Sequence, residues 1–412
     1  MQLVEKHIIS KNHYLFKEAD YLCFLSKNLF NYANYMIRQQ FFATGEYLNY
    51  YSIQKRCQGT PDYIALPAKV SQQVLLRLHE SWQSFLSANQ EYKKHPEKFQ
   101  SRPQIPKYKH KTLGRNVVTY TGQAVSQTAL KRGLIHLSKT QIVLTTQVKD
   151  VCQVRIVPGL AHYQIEVVYS APENPVKTNK SGGIAGIDIG LNNLATVTAN
   201  KQDFQPLIIN GKPLKSINAY FHKKRAALQS LLAPKQKTSH QISRLTHKRN
   251  CKIDNYLHNA SRWLIDHLVA NSIETLVIGK NDHWKTGINL GKRTNQNMVS
   301  IPHARFIQML TYKAQLVGIK VVLVTEEYTS KCSFLDQEPL CKQEVYQGRR
   351  IHRGLFRSGN GTLINADVNG SLNIIRKAFP NAFAEGIQGV VVPPVRVTPY
   401  KMVGAGKCNI CL

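Results

Sequence analysis

Acids are scarce in this chain, so the few that stand at the ends of apolar runs draw attention. Its 412 residues hold 55 Lys+Arg against 24 Asp+Glu. Asp188 closes the run Ile184-Ala185-Gly186-Ile187, and Gly190 follows shortly after. A carboxylate at a strand end beside a glycine can face a cleft and bind a hard cation through oxygen. Asp367 lies in Ile364-Asn365-Ala366-Asp367-Val368-Asn369-Gly370, ahead of a helical stretch. An Asp there also serves as an ordinary helix cap. Two or three carboxylates clustered on one sheet hold two Mg²⁺ ions ~4 Å apart, which activate a water and stabilise the leaving oxygen of a phosphodiester.

The composition suits that substrate. A net charge of +31 and a pI near 9.9 call for a polyanionic partner, and nucleic acid is the default. A hydrophobic fraction of 42% is too high for a disordered polycation. No window approaches a membrane span, and Met1-Gln2-Leu3-Val4-Glu5-Lys6 lacks a signal core, so a cytoplasmic protein without membrane contact is expected. Eight irregularly spaced cysteines read as reduced thiols. A Gly-x-x-x-x-Gly-Lys-Ser/Thr loop and a Gly-x-Ser-x-Gly elbow are both missing, which disfavours nucleotide hydrolysis and serine-hydrolase chemistry.

The elements that must position these acids can be read from periodicity. Residues 14–100 are predicted helical. Leu22, Leu25, Leu29, Ala33, Met36 and Ile37 form one stripe, and Val70, Val74, Leu75, Leu78, Trp82 and Phe85 form another after Pro67. The polar faces keep Lys27, Arg38, Lys69 and Arg77, available to phosphate. Residues 91–115 carry eight Lys/Arg and two Glu among prolines and aromatics. They read either as a solvated linker or as a connector in which rings stack beside phosphate contacts. From Asn116 to Ser170 short alternating runs predict a small antiparallel sheet or barrel, and Pro172 to Gly183 a linker. From Ile184 onward strands alternate with helices, which predicts a mostly parallel sheet with covered faces. The tail 391–412 is expected to be poorly ordered.

Gly186-Ile187-Asp188-Ile189-Gly190-Leu191-Asn192-Asn193-Leu194-Ala195-Thr196 resembles the first RuvC motif of the TnpB (OrfB) family. Ile364 to Ile374, around Asp367, resembles the third. Tyr328-Thr329-Ser330-Lys331-Cys332 resembles the segment opening that family's zinc ribbon. These are insertion-sequence proteins of prokaryotes, RNA-guided DNA endonucleases related to type V CRISPR effectors. The resemblance covers residues 184–380 and implies a multidomain α+β chain. It divides into a β-barrel-like wedge domain over 1–13 and 104–175, a helical recognition domain over 14–103, and an RNase H-like (RuvC) α/β nuclease domain over 181–390. It further implies a guide RNA from the protein's own element, double-stranded target DNA, Mg²⁺ (two ions), and one monomer per RNA in a nucleoid-associated setting. A nuclease-inactive, RNA-guided repressor and a transposition accessory protein are the alternatives.

Two departures from the family pattern stand out. The second motif's Glu is expected at the end of the fourth strand, where this chain has Gly279; Asp282 lies three residues on. The next strand ends in Glu326-Glu327. A fifth strand lies beside the fourth in an RNase H-like sheet, so we read the carboxylate as relocated, to Glu326, with Glu327 as the fallback because adjacent strand residues face opposite ways. Asp188, Glu326 and Asp367 are then the expected catalytic, Mg²⁺-binding set. The second departure is the ribbon over 329–363, which has Cys332, Cys341 and His352 but no ligand-spaced pair, so no structural zinc is expected. A basic strip around Arg349, Arg350 and Arg353 replaces it, over a small core of Phe334, Leu335, Leu355 and Phe356. Cys408-Asn409-Ile410-Cys411 has pair spacing but no second pair, and is treated as incidental.

The expected nucleic-acid contacts are Lys107, Lys109, Lys111 and Arg115 in the connector, Arg244, Lys248, Arg249 and Lys252 in the helical stretch before the fourth strand, and the three arginines of the strip. They would hold backbone phosphate and not read bases. Asn192-Asn193 reads as a turn that shapes backbone.

Overall fold

The computed structural model describes residues 1–172, 182–281, 289, 291–384, 386 and 393–399. The chain divides into two compact units that meet at Ala171–Pro172.

The first unit pairs a long-helix layer with an antiparallel sheet. Its elements are β1 (Gln2–Ser10), α1 (Phe16–Thr44), α2 (Tyr50–Cys57), α3 (Pro61–Ile64), α4 (Ala68–Lys94), β2 (Val118–Thr121), α5 (Gln127–Lys131), β3 (Leu134–His136), β4 (Val143–Thr145), β5 (Val151–Pro158) and β6 (His162–Ser170). Strands order as β1-β6-β5-β2, with β3-β4 a separate pair. Of the expected antiparallel sheet or barrel, the structure forms the sheet: β1 and β2 stand at opposite edges of its four strands. The reason is visible in the core, where α1 and α4 cover the sheet. Leu22, Leu29, Ala33 and Ile37 of α1 and Val70, Val74, Leu78 and Trp82 of α4 share one apolar cluster with Val154, Ile156, Ile165 and Val167. Trp82 is fully buried because Asn34 Oδ1 accepts its indole N–H at 2.9 Å, which satisfies the one polar atom of the ring.

Residues 104–117 run along α1 without forming an element of their own. α1 supplies the missing backbone partners. Asn34 Nδ2 donates to Pro106 O (3.0 Å), Asn31 Nδ2 to Lys109 O (2.8 Å), Lys27 Nζ to Lys111 O (2.6 Å) and Ser26 Oγ to Val117 O (2.9 Å). Positions 27, 31 and 34 lie one above another on a helix, so a single polar stripe pins the strap.

The second unit contains β7 (Gly183–Ile189), β8 (Asn193–Ala199), β9 (Leu207–Asn210), α6 (Lys212–Gln229), α7 (His240–Ala270), β10 (Ile273–Gly279), α8 (Lys292–Ser300), α9 (His303–Leu316), β11 (Lys320–Val324), β12 (Arg349–His352), β13 (Leu355–Arg357), β14 (Leu363–Asn365), α10 (Ala366–Ala378) and β15 (Val395–Val397). Its sheet orders as β11-β10-β7-β8-β9-β15. The expected mostly parallel sheet holds for three of its five described pairings, and two are antiparallel. β10 runs parallel to β7 and β11, whereas β7-β8 and β8-β9 are antiparallel. Only three residues link β7 to β8, too few for the crossover that parallel strands need. Residues 393–399 of the tail depart from expectation, and 391–392 and 400–412 lie outside the described residues. Val395-Arg396-Val397 alternates and adds a parallel strand to β9, with Val395 N donating to Pro206 O. No helix among the described residues is long and apolar enough to cross a membrane, and the six described cysteines are free thiols.

Candidate active site

Because β7, β10 and β11 are mutually parallel, their carboxyl ends emerge on one edge of the sheet. Asp188 stands near the end of β7, Gly279 ends β10, and Glu326 follows β11 by two residues. The N-terminal half of α10 packs against the same strands. Glycines set that close approach: a Cβ on Gly186 would lie 2.6 Å from Ser371 O, and one on Gly370 would lie 2.8 Å from Asp188 Oδ2. Ser371 Oγ fastens the contact by donating to Gly186 O at 2.9 Å.

Asp367 is not the cap of α10. Asn365 holds that position, its Oδ1 accepting from Asp367 N (3.0 Å) and Val368 N (3.2 Å). The Asp367 carboxylate is therefore released. Its Oδ2 accepts from Asn193 Nδ2 at 2.6 Å, and its Oδ1 lies 3.7 Å from Arg350 Nη2. Asn193 thus does more than shape a turn, while its neighbour Asn192 accepts from Lys215 Nζ at 2.7 Å.

Gly279 and Glu326 form a complementary pair. A Cβ on Gly279 would sit 2.7 Å from both Glu326 Cγ and Glu326 Oε1. The Glu326 side chain fills the space that a side chain at 279 would need. Asn281 fixes it from both sides: Glu326 N donates to Asn281 Oδ1 (2.8 Å), and Asn281 Nδ2 donates to Glu326 Oε2 (3.2 Å). Glu327 points out and is exposed. Asp282 lies outside the described residues.

The electrostatics mark these acids as a strained set. Burial, then the nearby charges of Glu326 and Asp367, push the Asp188 carboxyl well above the usual range, and Arg350 opposes that rise. Burial pushes Glu326 up to about 7. The donors at this edge are carboxylate and amide oxygens, which suit a hard divalent cation. Repelling carboxylates in a desolvated setting also gain most from one. Among the described residues, however, no three His, Cys, Asp or Glu side chains are near enough to share an ion as they stand.

The structure sorts the expected phosphate contacts into exposed and engaged. Lys107, Lys111, Arg244, Lys248, Lys252, Arg349 and Arg353 are exposed. Arg115 is committed, its Nε and Nη2 gripping Asp20 at 2.8 and 2.9 Å. Arg249 is committed too: it donates to Asn218 Oδ1 (2.8 Å), Asn250 Oδ1 (3.0 Å) and Ser300 O, clamping α7 to α6 and to the end of α8. Lys109 is partly buried, with its ammonium 5.0 Å from the Phe30 ring centroid. Lys27, expected on a polar face, is buried beneath the strap. None of these partners is close in sequence except Asn250, which is why spacing alone assigned these cations to phosphate.

The segment that replaces a ribbon is held by α10. Asn369 Nδ2 donates to Cys332 O (2.9 Å), and Asn373 Nδ2 donates to Thr329 O (2.9 Å) and Cys332 O (2.8 Å). Arg376 Nη2 donates to Glu338 O (2.6 Å). Buried Glu338 accepts from Ser333 N and Gln347 N. Phe334 and Phe356 form a small core with Ile364 and Leu372; Leu335 packs against it, and Leu355 stays outside. Cys332 Sγ donates to Pro339 O, Cys341 accepts from Gln343, and His352 is exposed. Cys408 and Cys411 lie outside the described residues.

Residues 162–285 match the family described as "Probable transposase", OrfB_IS605, and residues 303–374 match the Cas12f1-like TNB domain. Among curated proteins the chain is similar to the CRISPR-associated endodeoxyribonuclease Cas12f2 of a Micrarchaeota archaeon (strain CG1_02_47_40). Identity is 29% over 245 residues, covering 54% of this chain and only 41% of that relative. It is also similar to the TnpB-like protein ORF457 of Acidianus two-tailed virus, 25% identical over 428 aligned positions, covering 90% of this chain and 84% of that one. Solved structures with loose likeness include a Cas12f1–sgRNA–target DNA complex (TM-score 0.37, 14% identity, 90% of this chain and 98% of that one) and the mini-RNA-guided endonuclease Cas_phi3 (TM-score 0.48, 9% identity, 92% of each). Likeness at that level carries no structural weight. Residues 162–285 are thus similar to OrfB-type transposase proteins, and residues 303–374 to a Cas12f-like TNB domain.

Proposed function

We propose that this chain is an RNA-guided DNA endonuclease whose phosphodiester hydrolysis uses Asp188, Glu326 and Asp367 at the edge of an RNase H-like sheet. The strand sequence β11-β10-β7-β8-β9 supports that fold reading, because it sets the first strand of the unit between the fourth and the second. One observation carries the assignment of the carboxylates. The Glu326 side chain occupies the space left by the missing side chain of Gly279, beside Asp188. A loop acid with no role would have no reason to match a glycine on the neighbouring strand.

In this reading Asp188, Glu326 and Asp367 would hold Mg²⁺, which supplies an activated water and stabilisation of the leaving oxygen when bound. Asn193 and Asn281 orient two of the carboxylates through single hydrogen bonds. Arg350 balances Asp367 and is available to a phosphate. Exposed Lys107, Lys111, Arg244, Lys248, Lys252, Arg349 and Arg353 hold the backbones of guide and target, and base pairing supplies sequence choice.

The test is purification with co-expressed RNA, then incubation with matched duplex DNA and Mg²⁺. Cutting by the wild type that is lost in Asp188→Ala and Glu326→Gln is the expected result. Intact binding without cutting by the wild type points instead to a guide-dependent repressor. Cutting that survives Asp188→Ala overturns the site.

A further inference from the structure

Two thiols of the segment that replaces a ribbon are nine positions apart in the chain but adjoin in space. Glu338 makes the fold that joins them. Its Oε2 accepts from Ser333 N (2.7 Å), its N donates to Ser333 O (3.1 Å), and its carbonyl oxygen accepts from Arg376 Nη2 of α10 (2.6 Å). The chain beyond Glu338 therefore returns to Cys332. The Pro339 carbonyl oxygen is the meeting point. It accepts from Cys332 Sγ (3.3 Å), Cys341 N (2.9 Å) and Gln343 Nε2 (3.2 Å). Cys332 Sγ also lies 3.8 Å from Cys341 O, and Cys341 Sγ accepts from the same Gln343 Nε2 at 3.1 Å.

The two thiols differ in access. Cys332 is fully buried, and burial raises its thiol above the usual range. Cys341 is exposed, and an amide N–H directed at its sulfur favours the thiolate. Cys341 can meet a dissolved reagent, whereas Cys332 can react only with what its neighbour has captured. That is the division between a sensing and a resolving cysteine.

We propose that Cys341 is a thiol-exchange site for a small-molecule disulfide of the glutathione class, and that Cys332 resolves the adduct into an internal Cys332–Cys341 disulfide. Cys341 Sγ attacks one sulfur of the reagent. The reagent's S–S bond breaks, a mixed disulfide forms, and one glutathione leaves with the proton that Cys341 gives up. Cys332 Sγ then attacks Cys341 Sγ, and its proton goes to the second departing glutathione. Two protein thiols are oxidised, and one glutathione disulfide is reduced to two glutathiones. Closing the bond takes Cys341 Sγ off Gln343 and Cys332 Sγ off Pro339 O. In a reducing compartment such a bond is transient and redox-sensing.

The bond bears on α10. Cys332 O accepts from Asn369 Nδ2 (2.9 Å) and Asn373 Nδ2 (2.8 Å), and Asp367 stands in the first turn of the same helix. A cross-link within the segment limits the conformations open to it once it lifts off the helix. Oxidation therefore holds the segment on α10 more firmly, and reduction loosens it. The test reads thiols and amide exchange, not cleavage, so it can fail while the nuclease reading stands, and the reverse.

The experiment uses the full chain in buffers of stepped oxidised-to-reduced glutathione ratio, quenched with iodoacetamide and read by peptide mass spectrometry. In the wild type, alkylation of Cys332 and Cys341 should disappear together as the internal disulfide forms, and both should return with excess reduced glutathione. Cys332→Ser should stop at a stable glutathione adduct on Cys341; Cys332→Ala serves where that variant fails to fold. Cys341→Ser, a surface change, should leave Cys332 as a thiol at every ratio. Hydrogen exchange of residues 329–341 and of the N-terminal half of α10 should slow by about 10-fold in the oxidised wild type and stay unchanged in Cys341→Ser. A wild type that keeps glutathione on Cys341, a bond from Cys341 to any other cysteine, or Cys332 alkylated as fast as Cys341 in the native chain would each overturn the exchange site. An internal disulfide that leaves the exchange of α10 unmoved would overturn its link to the helix.

Discussion

The strap on α1 and the ribbon-replacing segment on α10 solve one problem with the same device and to different ends. Both contain irregular backbone that needs partners. In each case a helix offers a stripe of polar side chains at i, i+4 and i+7: Lys27, Asn31 and Asn34 on α1, and Asn369, Asn373 and Arg376 on α10. Amides and cations that bond carbonyl oxygens let a segment without secondary structure pack closely. The difference lies on the rest of the helix. The free face of α1 meets solvent with aromatic rings. A neighbouring face of α10 meets β7 and carries Asp367 and Gly370, so the device that holds the segment also sets the position of a carboxylate. Support and chemistry are separable in the first unit and coupled in the second.

That coupling can be broken from the chemical side first. Glu326→Gln should reduce cleavage by about 10²–10³-fold, the scale of losing a preorganised electrostatic group, while RNA and DNA affinity hold within a few-fold. The double variant Gly279→Glu/Glu326→Gly tests the relocation directly. It returns a carboxylate to β10 in the space vacated by Glu326, and should recover more activity than either single variant. The single variant Gly279→Glu should lose stability as well, because its Cβ would sit 2.7 Å from Glu326. The support side comes next. Asn373→Ala leaves Thr329 O without its side-chain donor and takes one of two donors from Cys332 O; it should cost about 2 kcal/mol, with cleavage falling in parallel. Asn31→Ala on α1 removes bonds to a partly exposed strap. It should cost about 1 kcal/mol and leave the cleavage rate at saturating DNA unchanged. Equal effects of the two on cleavage would erase the contrast.

Asp188 stood out because an acid that ends an apolar run is rare in a chain with so few acids, and Glu326 because it follows the strand beside the one that ends in Gly279. The helical stripes of α1 and α4 followed from the 3.6 period. What spacing did not reveal were partners distant in the chain. Arg115 finds Asp20 95 positions away, Asn193 finds Asp367 at 174, and Asn281 finds Glu326 at 45. A one-dimensional pattern cannot tell a cation that waits for phosphate from one that a buried acid has already taken. The same limit hid β9 and β15, each too short to carry a periodic signal, and left the two antiparallel pairings of β8 unread.

The carboxylates also give a pH signature that the strap lacks. The folded protein holds Glu326 at about 7, above its ordinary value of 4.5, and Asp188 is shifted the same way. The folded state therefore binds protons more tightly than the unfolded one, and stability without added divalent cation falls as pH rises from about 4.5 through 7. Glu326→Gln should raise the unfolding midpoint at pH 8 by the equivalent of about 1–2 kcal/mol, roughly 2–8 °C at 2–4 °C per kcal/mol. Near pH 4.5 the gain should vanish. A gain that persists at pH 4.5 would show that the side chain is strained for reasons other than charge.

The smallest effect concerns Arg350, where the two segments differ most sharply. In the strap Arg115 is spent on Asp20; in the second segment Arg350 approaches Asp367 at 3.7 Å from an exposed hairpin. An ion pair this exposed is worth no more than about 1 kcal/mol, so Arg350→Ala should leave the unfolding midpoint almost unmoved. Its two functional consequences have opposite signs. Removing a cation from the carboxylate edge should tighten Mn²⁺ binding a few-fold by calorimetry, and removing a phosphate partner should slow cleavage by a similar factor. Arg349→Ala, one residue away and turned from the site, controls for loss of general positive charge. Tighter Mn²⁺ together with slower cutting assigns Arg350 to the phosphate; tighter Mn²⁺ with faster cutting would mean that it restrains the site until a cation displaces it.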